Sequence, residues 1–287
     1  MVAPLAHEPS DEALGRCDAL LAWRPPPRLA ARAPRLRWIH SLTVGVEQWL
    51  ASPDLPPGAV LTCARGSHRL SMPENILGAL FLVQKQFADI VLDQRERRWR
   101  RRVNDTLAGK TLGILGLGTI GTEVARKAAA LEMRVLGASR SGRPSPIVER
   151  VWGPDGIAEV LAASDFVLLL LPSTRETRGI INRRTLSLMK PSAYLLNFGR
   201  GDLIVDEDLV EVVRAHRIAG AVLDVFKTEP LPADSPLWIT EGIVILPHVG
   251  GLHPERDTLV AEGWLENLRR FVAGQPLRNV VDRALGY

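Results

Sequence analysis

The stretch LGILGLGTIGTEVARKAAA, residues 112–130, is the feature that most constrains the fold. An apolar run typical of a buried strand leads into three glycines, Gly116, Gly118 and Gly121, and an alanine-rich helical pattern follows. With this spacing the first glycine allows a tight turn, the second lets the backbone approach a pyrophosphate, and the third lets the helix pack closely on the strand. The stretch therefore predicts a Rossmann-type dinucleotide site in which helix amides face phosphate groups.

Apolar runs of strand length alternate with helical patterns along most of the chain. Short strands are predicted at CDALLAWR, LRWIHSL and AVLTCAR, and a second series at TLGILGL, MRVLGAS, FVLLLLP, AYLLNFG, GAVLDVF and IVILPH. Several of these runs are apolar throughout, as strands buried on both faces of a parallel sheet are. The predicted fold class is α/β, with two doubly wound parallel-sheet domains.

One predicted domain interrupts the other. Residues 75–254 form a dinucleotide-binding Rossmann domain, and residues 1–74 with 255–287 form a flavodoxin-like substrate domain to which the chain returns. A ligand is expected in the cleft between two such domains. The segment MPENILGALFLVQKQFADIVLDQRERRW, which leads from one domain to the other, is predicted to be one long helix.

Composition excludes several classes of function. Apolar residues make up 46% of the 287 residues, enough for a sizeable core. No apolar stretch reaches the roughly 18–20 residues of a membrane helix, and the first residues lack the pattern of a secretory signal. The two cysteines, Cys17 and Cys63, argue against a disulfide framework and a cysteine metal site. A cytoplasmic protein without a metal is expected.

The formal net charge of +4 is concentrated in RERRWRRR, residues 95–102, which holds six arginines in eight positions. A run of this kind is interpreted as a solvated helix end or as an arm that packs on a partner subunit. Nucleic-acid binding is disfavoured, because no nucleic-acid motif surrounds the run. Neither nucleic acid nor a membrane is therefore expected as a partner.

The end of the second strand of the dinucleotide unit indicates which dinucleotide is bound. An NAD site usually has a carboxylate there, about 20 residues after the glycine turn, for the ribose 2′-hydroxyl. This chain instead reads VLGASRSGR, with Ser139, Arg140, Ser141 and Arg143. Arg140 can pair with a 2′-phosphate and the serine hydroxyls can donate to it. The loop favours NADP(H) over NAD(H); a solvated loop is the alternative.

Three ionisable residues follow strand ends of the second series. They are Arg200 in NFGRGDLIVDEDL, Glu229 in LDVFKTEPLP and His248 in ILPHVGG. Because carboxyl ends of parallel strands meet at one edge of a sheet, these side chains are expected to lie close together. A histidine suits proton transfer near neutral pH, a carboxylate can orient its ring, and an arginine can hold a carboxylate or a keto oxygen. Taken singly, each also fits a structural or surface role.

From about Ala19 to its end the chain resembles the D-isomer-specific 2-hydroxyacid dehydrogenase family. The resemblance lies in the glycine turn and in LPSTRETRGIIN, LLNFGRGDLIVDEDLV, GAVLDVFKTEPLP, SPLW and LPHVGG, in that order. The closing VDRALGY and the ASRSGR loop resemble the NADPH-dependent glyoxylate/hydroxypyruvate reductase branch. Members usually carry a further strand and helix before CDALLAWR, so the first domain is expected to lack a strand or the start to be misassigned.

The resemblance implies reduction of a small anionic 2-keto acid to a D-2-hydroxy acid. Arg200 would bind the substrate's carboxylate and carbonyl, His248 would donate the proton, and Glu229 would pair with His248. Backbone amides near Arg65 and Gly66 in CARGSH would hold the carboxylate. Asp224 would contact the nicotinamide carboxamide, and Leu171–Thr174 would flank the adenosine. The implied cofactor site also includes Thr119, Ile120, Leu171, Pro172, Phe198, Gly199 and Gly250. A homodimer is implied, with Trp99 near the contact.

Alternative functions remain within and outside catalysis. The same fold serves dehydrogenases of phosphoglycerate, phosphite, formate or bulkier 2-keto acids. Formate enzymes have a glutamine as the histidine's partner, so Glu229 argues against that substrate, and phosphoglycerate enzymes often carry further domains. A dinucleotide-sensing corepressor-like binding protein of the same fold is the alternative from a different class, and the arginine run could support it.

Overall fold

The computed structural model describes residues 8–287; residues 1–7 of the predicted substrate domain lie outside the described residues. The chain divides into two compact units. The first comprises the chain up to Ser67 together with His253–Tyr287, and the second is His68–Leu252. The sequence placed the boundaries after residues 74 and 254. In the structure the second unit begins earlier, at His68, because His68 and Ser71 hydrogen-bond to the carbonyls of Gly251 and Leu252.

The first unit is built on a three-stranded parallel sheet in the order β1-β2-β3. Its elements are α1 (Asp11–Arg16), β1 (Ala19–Ala22), α2 (Leu29–Arg32), β2 (Trp38–Ser41), α3 (Glu47–Leu50), β3 (Val60–Cys63) and the last helix, α10 (Arg256–Val272). Trp38, fully buried in β2, stacks on Trp264 of α10 with ring centroids 4.2 Å apart. The C-terminal helix thus packs against the sheet to which the chain returns.

The second unit is a seven-stranded parallel sheet in the order β10-β9-β8-β7-β4-β5-β6. Its strands are β4 (Thr111–Leu115), β5 (Arg134–Ala138), β6 (Arg150–Trp152), β7 (Phe166–Leu169), β8 (Tyr194–Asn197), β9 (Gly220–Leu223) and β10 (Ile243–Ile245). The strand order reverses between β4 and β7, and ligands bind at such a switch point in open α/β sheets. The predicted α/β class is confirmed; the short edge strand β6 was not predicted.

Helices cover both faces of this sheet. They are α4 (Ser71–Gln84), α5 (Phe87–Arg95), α6 (Thr119–Ala130), α7 (Ile157–Ala163), α8 (Arg183–Leu186) and α9 (Asp206–Arg214). In β7, Phe166 and Leu168 belong to the core that α4 and α6 cover, whereas Val167 and Leu169 belong to the core of α7, α8 and α9. Burial on both faces explains why the strand sequences are apolar throughout.

The prediction of one long helix over MPENILGALFLVQKQFADIVLDQRERRW is wrong. The helix ends at Gln84 and restarts as α5, because Gln86 has a left-handed backbone with φ of 51°. The freed carbonyl of Lys85 accepts a 2.9 Å hydrogen bond from Asn104, which is distant in sequence. No single helix in residues 8–287 is long and apolar enough to cross a membrane; α4 and α5 reach that length and composition only as a pair bent by 64°.

Candidate active site

The glycine turn joins β4 to α6 and requires glycine at its first and last positions. Gly116 has φ of 113°, and a Cβ added there would lie 2.7 Å from the carbonyl oxygen of Leu170. A Cβ on Gly121 would collide with the carbonyl of Gly116. Backbone packed against backbone cannot yield to a side chain, so Gly121 brings the helix close to the strand as its spacing predicted.

The middle glycine leaves open space. A Cβ added at Gly118 would meet no described atom within 4 Å. Gly118 is the N-cap of α6, and no side chain among the described residues caps the first amides of that helix. An uncapped N-terminus beside an unfilled surface suits a phosphate, since helix amides and the helix dipole both favour an anion. The turn therefore fits the pyrophosphate of a dinucleotide, with Thr119 and Ile120 contributing the next amides.

The loop after β5 carries the residues expected to select the dinucleotide. The amide of Ser139 donates to the carbonyl of Trp152 at 3.0 Å, which ties the start of the loop to β6. Ser139 is half-buried, whereas Arg140, Ser141 and Arg143 are exposed. Residues 139–148, between β5 and Glu149, contain no carboxylate, and Glu149 pairs with Arg134. The exposed part of the loop is thus basic and hydroxyl-bearing.

The backbones of the loops after β7 and β8 lie close together at Leu171 and Gly199. A Cβ on Gly199 would lie 2.9 Å from the carbonyl oxygen of Leu171, so this position also needs glycine. The carbonyl of Pro172 accepts a 2.6 Å hydrogen bond from the hydroxyl of Thr177, which holds the first loop in a turn. Phe198 is buried beside Gly199. These four predicted cofactor residues, Leu171, Pro172, Phe198 and Gly199, therefore lie together at the edge near the switch point.

Arg200 is held between two glycines. The buried side chain of Asn197 accepts from the amide of Gly199 at 3.1 Å and donates to the carbonyl of Arg200 at 2.8 Å. On the other side, a Cβ on Gly201 would overlap the backbone of Phe226, in the loop after β9. The backbone of Arg200 is therefore fixed at the carboxyl edge of the sheet. Its half-buried guanidinium donates to the carbonyl of Gly199 at 2.6 Å.

Glu229 and His248, from the loops after β9 and β10, form a hydrogen-bonded pair. Oε2 of Glu229 lies 2.7 Å from Nδ1 of His248, and Oε1 accepts the amide of Phe226 at 2.9 Å. The side chain of His248 is 56% exposed and that of Glu229 is 35% exposed. The carboxylate is thus oriented by its own loop, and it orients an imidazole that solutes can reach. The pair predicted from sequence is present in the structure.

Asp224 binds the backbone that follows His248. Its Oδ1 accepts the amide of Val249 at 2.8 Å, and Oδ2 accepts the amide of Gly250 at 3.0 Å. Burial raises the pKa of the Asp224 carboxyl, and these amide hydrogen bonds oppose the rise. A Cβ on Gly250 would lie 2.5 Å from Oδ2. In the structure Asp224 therefore positions the histidine loop; its contact with a nicotinamide stays a prediction.

The predicted substrate loop belongs to the first unit and follows β3. Arg65 is exposed, and Gly66 has φ of 97°, a backbone that favours glycine. The carbonyl of Arg65 accepts a 3.0 Å hydrogen bond from the side chain of Asn279, and the amide of Cys63 donates to the carbonyl of Asn279. The C-terminal segment thus fixes the loop from which the amides near Arg65 and Gly66 are presented.

Comparison with known proteins shows the family. The model of the family described as "D-isomer specific 2-hydroxyacid dehydrogenase, NAD binding domain" matches residues 77–250. The chain belongs to this family. The protein is therefore an NAD(P)-dependent D-2-hydroxyacid dehydrogenase, and the glycine turn lies in its nucleotide-binding domain.

Two curated relatives of this dehydrogenase are glyoxylate/hydroxypyruvate reductases by name. The chain is 33% identical over 291 residues to a glyoxylate/hydroxypyruvate reductase A of Serratia proteamaculans, covering 98% of this chain and 91% of that protein. It is 31% identical over 276 residues to a protein of the same name from Photorhabdus laumondii, covering 94% and 88%.

Solved structures of this dehydrogenase family have the same fold. An NADPH-dependent glyoxylate/hydroxypyruvate reductase from Sinorhizobium meliloti, in complex with NADP and sulfate, superposes with a TM-score of 0.87 at 31% identity, covering 95% of this chain and 87% of that one. A family member from Xanthobacter autotrophicus, in complex with NADPH and MES, superposes with a TM-score of 0.88 at 32% identity, covering 100% and 90%.

Sequence reasoning missed three residues at the start of this dehydrogenase's nucleotide domain. His68, Ser71 and Asn75 all hydrogen-bond to carbonyls of residues 250–252. The helical pattern of this segment indicates a helix, but it does not indicate which loop the first turn of that helix contacts. The partners are about 175 residues apart in sequence, so no local signal could have found them.

Proposed function

We propose that this dehydrogenase reduces glyoxylate, hydroxypyruvate or a 2-keto acid of similar size to the D-2-hydroxy acid, with NADPH as the favoured reductant. The names of the curated relatives support the substrate class. The observation that carries the proposal is the Glu229–His248 pair, held at the same sheet edge as Arg200. A proton donor beside an anion-binding group is what reduction of a keto acid requires.

In the proposed reaction His248 donates the proton. Glu229 holds Nδ1 of the ring, so Nε2 is the atom that faces the keto oxygen of the substrate. A nicotinamide dinucleotide held at the glycine turn of Gly116, Gly118 and Gly121 would supply hydride for the keto carbon. As negative charge grows on the oxygen, the proton on His248 neutralises it.

Arg200 binds the substrate in this proposal. Its guanidinium carries a permanent charge and several donors in one plane, which suits a carboxylate with a neighbouring carbonyl. The two flanking glycines and Asn197 fix the backbone from which this side chain extends. Amides near Arg65 and Gly66 hold the carboxylate as well. The enzyme would thus recognise the 2-keto acid group more than the rest of the substrate.

The preference for NADP(H) is proposed from the loop after β5. Arg140 and the hydroxyls of Ser139 and Ser141 suit a 2′-phosphate, and the loop has no carboxylate to repel one. Three family members of solved structure are in complex with NADPH or NADP. The ratio of kcat/KM for NADPH to kcat/KM for NADH tests this preference, and a ratio below one would overturn it.

The substrate class is tested with a panel of 2-keto acids at fixed NADPH, by following loss of absorbance of the reduced nicotinamide. Glyoxylate and hydroxypyruvate are expected to react with higher kcat/KM than phenylpyruvate. A higher kcat/KM for phenylpyruvate overturns the substrate class. Failure of every 2-keto acid to react overturns the proposed reaction and favours a dinucleotide-sensing binding protein.

We propose in addition that the enzyme is a homodimer that uses α5 and the residues that follow it, 96–103. Trp99 and Val103 are 94% and 99% exposed, and Val91 and Leu92 of α5 are more than half exposed. An apolar surface of this kind suits a subunit contact. Light scattering should give twice 31.5 kDa for the enzyme and a lower mass for W99S/V103S. A monomeric wild type would contradict the dimer.

The cytoplasmic location of the enzyme stays a prediction.

A further inference from the structure

The segment Val249–Leu252, which follows His248 directly, is held by side chains through its carbonyl groups. We call it the His248 loop. Nδ1 of His68 lies 2.7 Å from the carbonyl oxygen of Gly251, and Oγ of Ser71 donates to that of Leu252 at 3.1 Å. Nδ2 of Asn75 donates to the carbonyl of Gly250 at 2.9 Å. Three consecutive carbonyls of the loop thus bind residues in or just before the first turns of α4.

The amides of the same loop are bound from the other side. Asp224, which is 1% exposed, accepts the amides of Val249 and Gly250. The His248 loop is therefore clamped between the sheet, which binds its amides, and α4, which binds its carbonyls. Every one of these hydrogen bonds reaches the loop from an element distant in sequence.

This clamp acts on a residue with a strained backbone. His248 has φ of 53°, in the left-handed region that is unfavourable for a residue with a Cβ. Such a conformation persists only where the surroundings enforce it. Because Gly250 is two residues from His248, a shift of its carbonyl would change the direction in which the imidazole leaves the chain.

Asn75 is the member of the clamp nearest to His248 along the loop. Its amide nitrogen also lies 3.2 Å from Oγ of Ser71, whose hydroxyl in turn binds Leu252. Loss of the Asn75 amide therefore removes the hydrogen bond to Gly250 and disturbs the one from Ser71 to Leu252. The side chain is half-buried, so water cannot replace it freely.

We infer that Asn75 is a positioning residue for His248: by binding the carbonyl of Gly250, it keeps the imidazole aligned for proton donation. The inference rests on the proposed function of His248 as proton donor. The first turns of α4 thus have a role in the reaction, although no side chain from them contacts the reacting atoms in the proposed mechanism.

The test is Asn75→Leu, which keeps approximate size and removes both donors. Misplacement of a reacting group by about 1 Å can lower the rate by about 100-fold; we therefore expect kcat for glyoxylate to fall about 10- to 100-fold, with KM for NADPH nearly unchanged. The matched control is Gln84→Leu on the same helix. Gln84 also donates from a side-chain amide to a carbonyl at 2.9 Å, that of Thr106, which lies outside the His248 loop.

The deuterium isotope effect on kcat distinguishes a positioning role of Asn75 from a purely structural role. With NADPH deuterated at the transferred position, Asn75→Leu should show a larger isotope effect on kcat than the wild type, because the chemical step becomes more rate-limiting. The isotope effect does not depend on the fraction of active enzyme. A lower kcat with an unchanged isotope effect, or a kcat equal to that of Gln84→Leu, overturns the inference.

A second readout needs no activity. With ¹⁵N-labelled histidine, the ring signals of His248, assigned by their loss in His248→Gln, should shift in Asn75→Leu and stay in place in Gln84→Leu. Unchanged signals in Asn75→Leu overturn the inference. A wild type that reduces no 2-keto acid overturns the proposed function instead, and the ring signals then still decide whether Asn75 positions His248.

Discussion

One carboxylate oxygen of Glu229 lies 2.7 Å from Nδ1 of His248, while the other accepts the backbone amide of Phe226. The same carboxylate therefore makes one fixed hydrogen bond to its own loop and one hydrogen bond to the ring of His248. Because the fixed bond is to its own loop, Glu229 keeps its orientation whether the ring of His248 is neutral or charged. In the proposed reaction, loss of the proton from His248 would therefore leave the carboxylate of Glu229 in place.

Replacement of His248 tests its role most directly. His248→Ala should lower kcat with glyoxylate by about 10²- to 10⁴-fold, the usual contribution of a general acid. Binding of NADPH, followed by fluorescence titration, should change little. Glu229→Gln is the companion variant; because glutamine can still bind the amide of Phe226, its kcat should fall less than that of His248→Ala. Near-normal turnover of His248→Ala would refute the assignment.

Substitution by alanine should have different effects at Gly118 and at Gly121 of the turn. A Cβ at Gly118 meets open space, whereas one at Gly121 collides with the carbonyl of Gly116. Gly118→Ala is therefore expected to keep its free energy of unfolding but to raise KM for NADPH. Gly121→Ala should lose about 1–3 kcal/mol of stability through overpacking. Urea unfolding and cofactor titration of both variants check the contrast, which equal effects on stability would contradict.

Reversal of charge at Arg140 should change the choice of dinucleotide. A hydrogen bond to a charged group contributes about 1.5–3 kcal/mol, so Arg140→Glu should lower kcat/KM for NADPH about 10- to 100-fold and spare that for NADH. Arg150→Ala is the control, because Arg150 is an exposed arginine of β6, outside the loop, with its guanidinium over the ring of Trp152. A parallel loss with both dinucleotides in Arg140→Glu would argue against a 2′-phosphate contact.

The C-terminal segment should affect substrate binding through Asn279. Its side chain binds the carbonyl of Arg65, and its φ of 55° is one that glycine adopts without strain. Asn279→Gly thus removes the hydrogen bond and keeps the backbone. Loss of about 1 kcal/mol should raise KM for glyoxylate about 5-fold. KM for NADPH serves as the internal control; an equal rise in both constants would disagree with a role in the substrate loop.

His40 should make the first unit sensitive to acid. It is 1% exposed, with Nδ1 2.8 Å from the hydroxyl of Thr62. Burial lowers its pKa from 6.5 to about 4. The unfolded chain therefore binds a proton that the folded chain does not, and stability falls as pH drops through the interval between these two pKa values. At about pH 5 the loss should be roughly 2 kcal/mol.

The matched variant for this effect is His40→Gln, which keeps a polar side chain and does not titrate. Urea unfolding at about pH 7.5 and about pH 5 should show a smaller loss of stability on acidification in His40→Gln than in the wild type. Because both proteins contain the same carboxylates, the contribution of these groups to the loss of stability is the same in both and does not affect the comparison. Equal losses in the two would show that His40 does not control the acid sensitivity.

Local pattern was sufficient for the strands and for the glycine turn. All the strands except the edge strand β6 lie where apolar runs of strand length predicted them, and burial on both faces of the larger sheet explains such runs. Gly116 and Gly121 are explained by backbone geometry within a few residues. The residues Arg200, Glu229 and His248 were predicted to meet because parallel strands end at one edge, and the structure places Glu229 and His248 in contact.

Contacts between distant segments decided the rest. The helical pattern over residues 72–99 does not indicate the break at Gln86. The break is stabilised by Asn104, which binds the carbonyl of Lys85 and lies 19 residues after it in the sequence. The carboxylate of Asp224 holds the amides of Val249 and Gly250, which the sequence did not indicate; its contact with a cofactor stays a prediction. The clamp by Asn75 is equally invisible in the sequence.

The sequence by itself therefore determined the α/β class, the dinucleotide turn and the identity of the residues in the Glu229–His248 pair, since periodicity, glycine geometry and side-chain chemistry are properties of near neighbours. Only the tertiary structure decided how that pair is held. The strained backbone of His248 is enforced by hydrogen bonds from α4 and from the end of β9, and hydrogen bonds between segments so far apart exist only once the chain has folded.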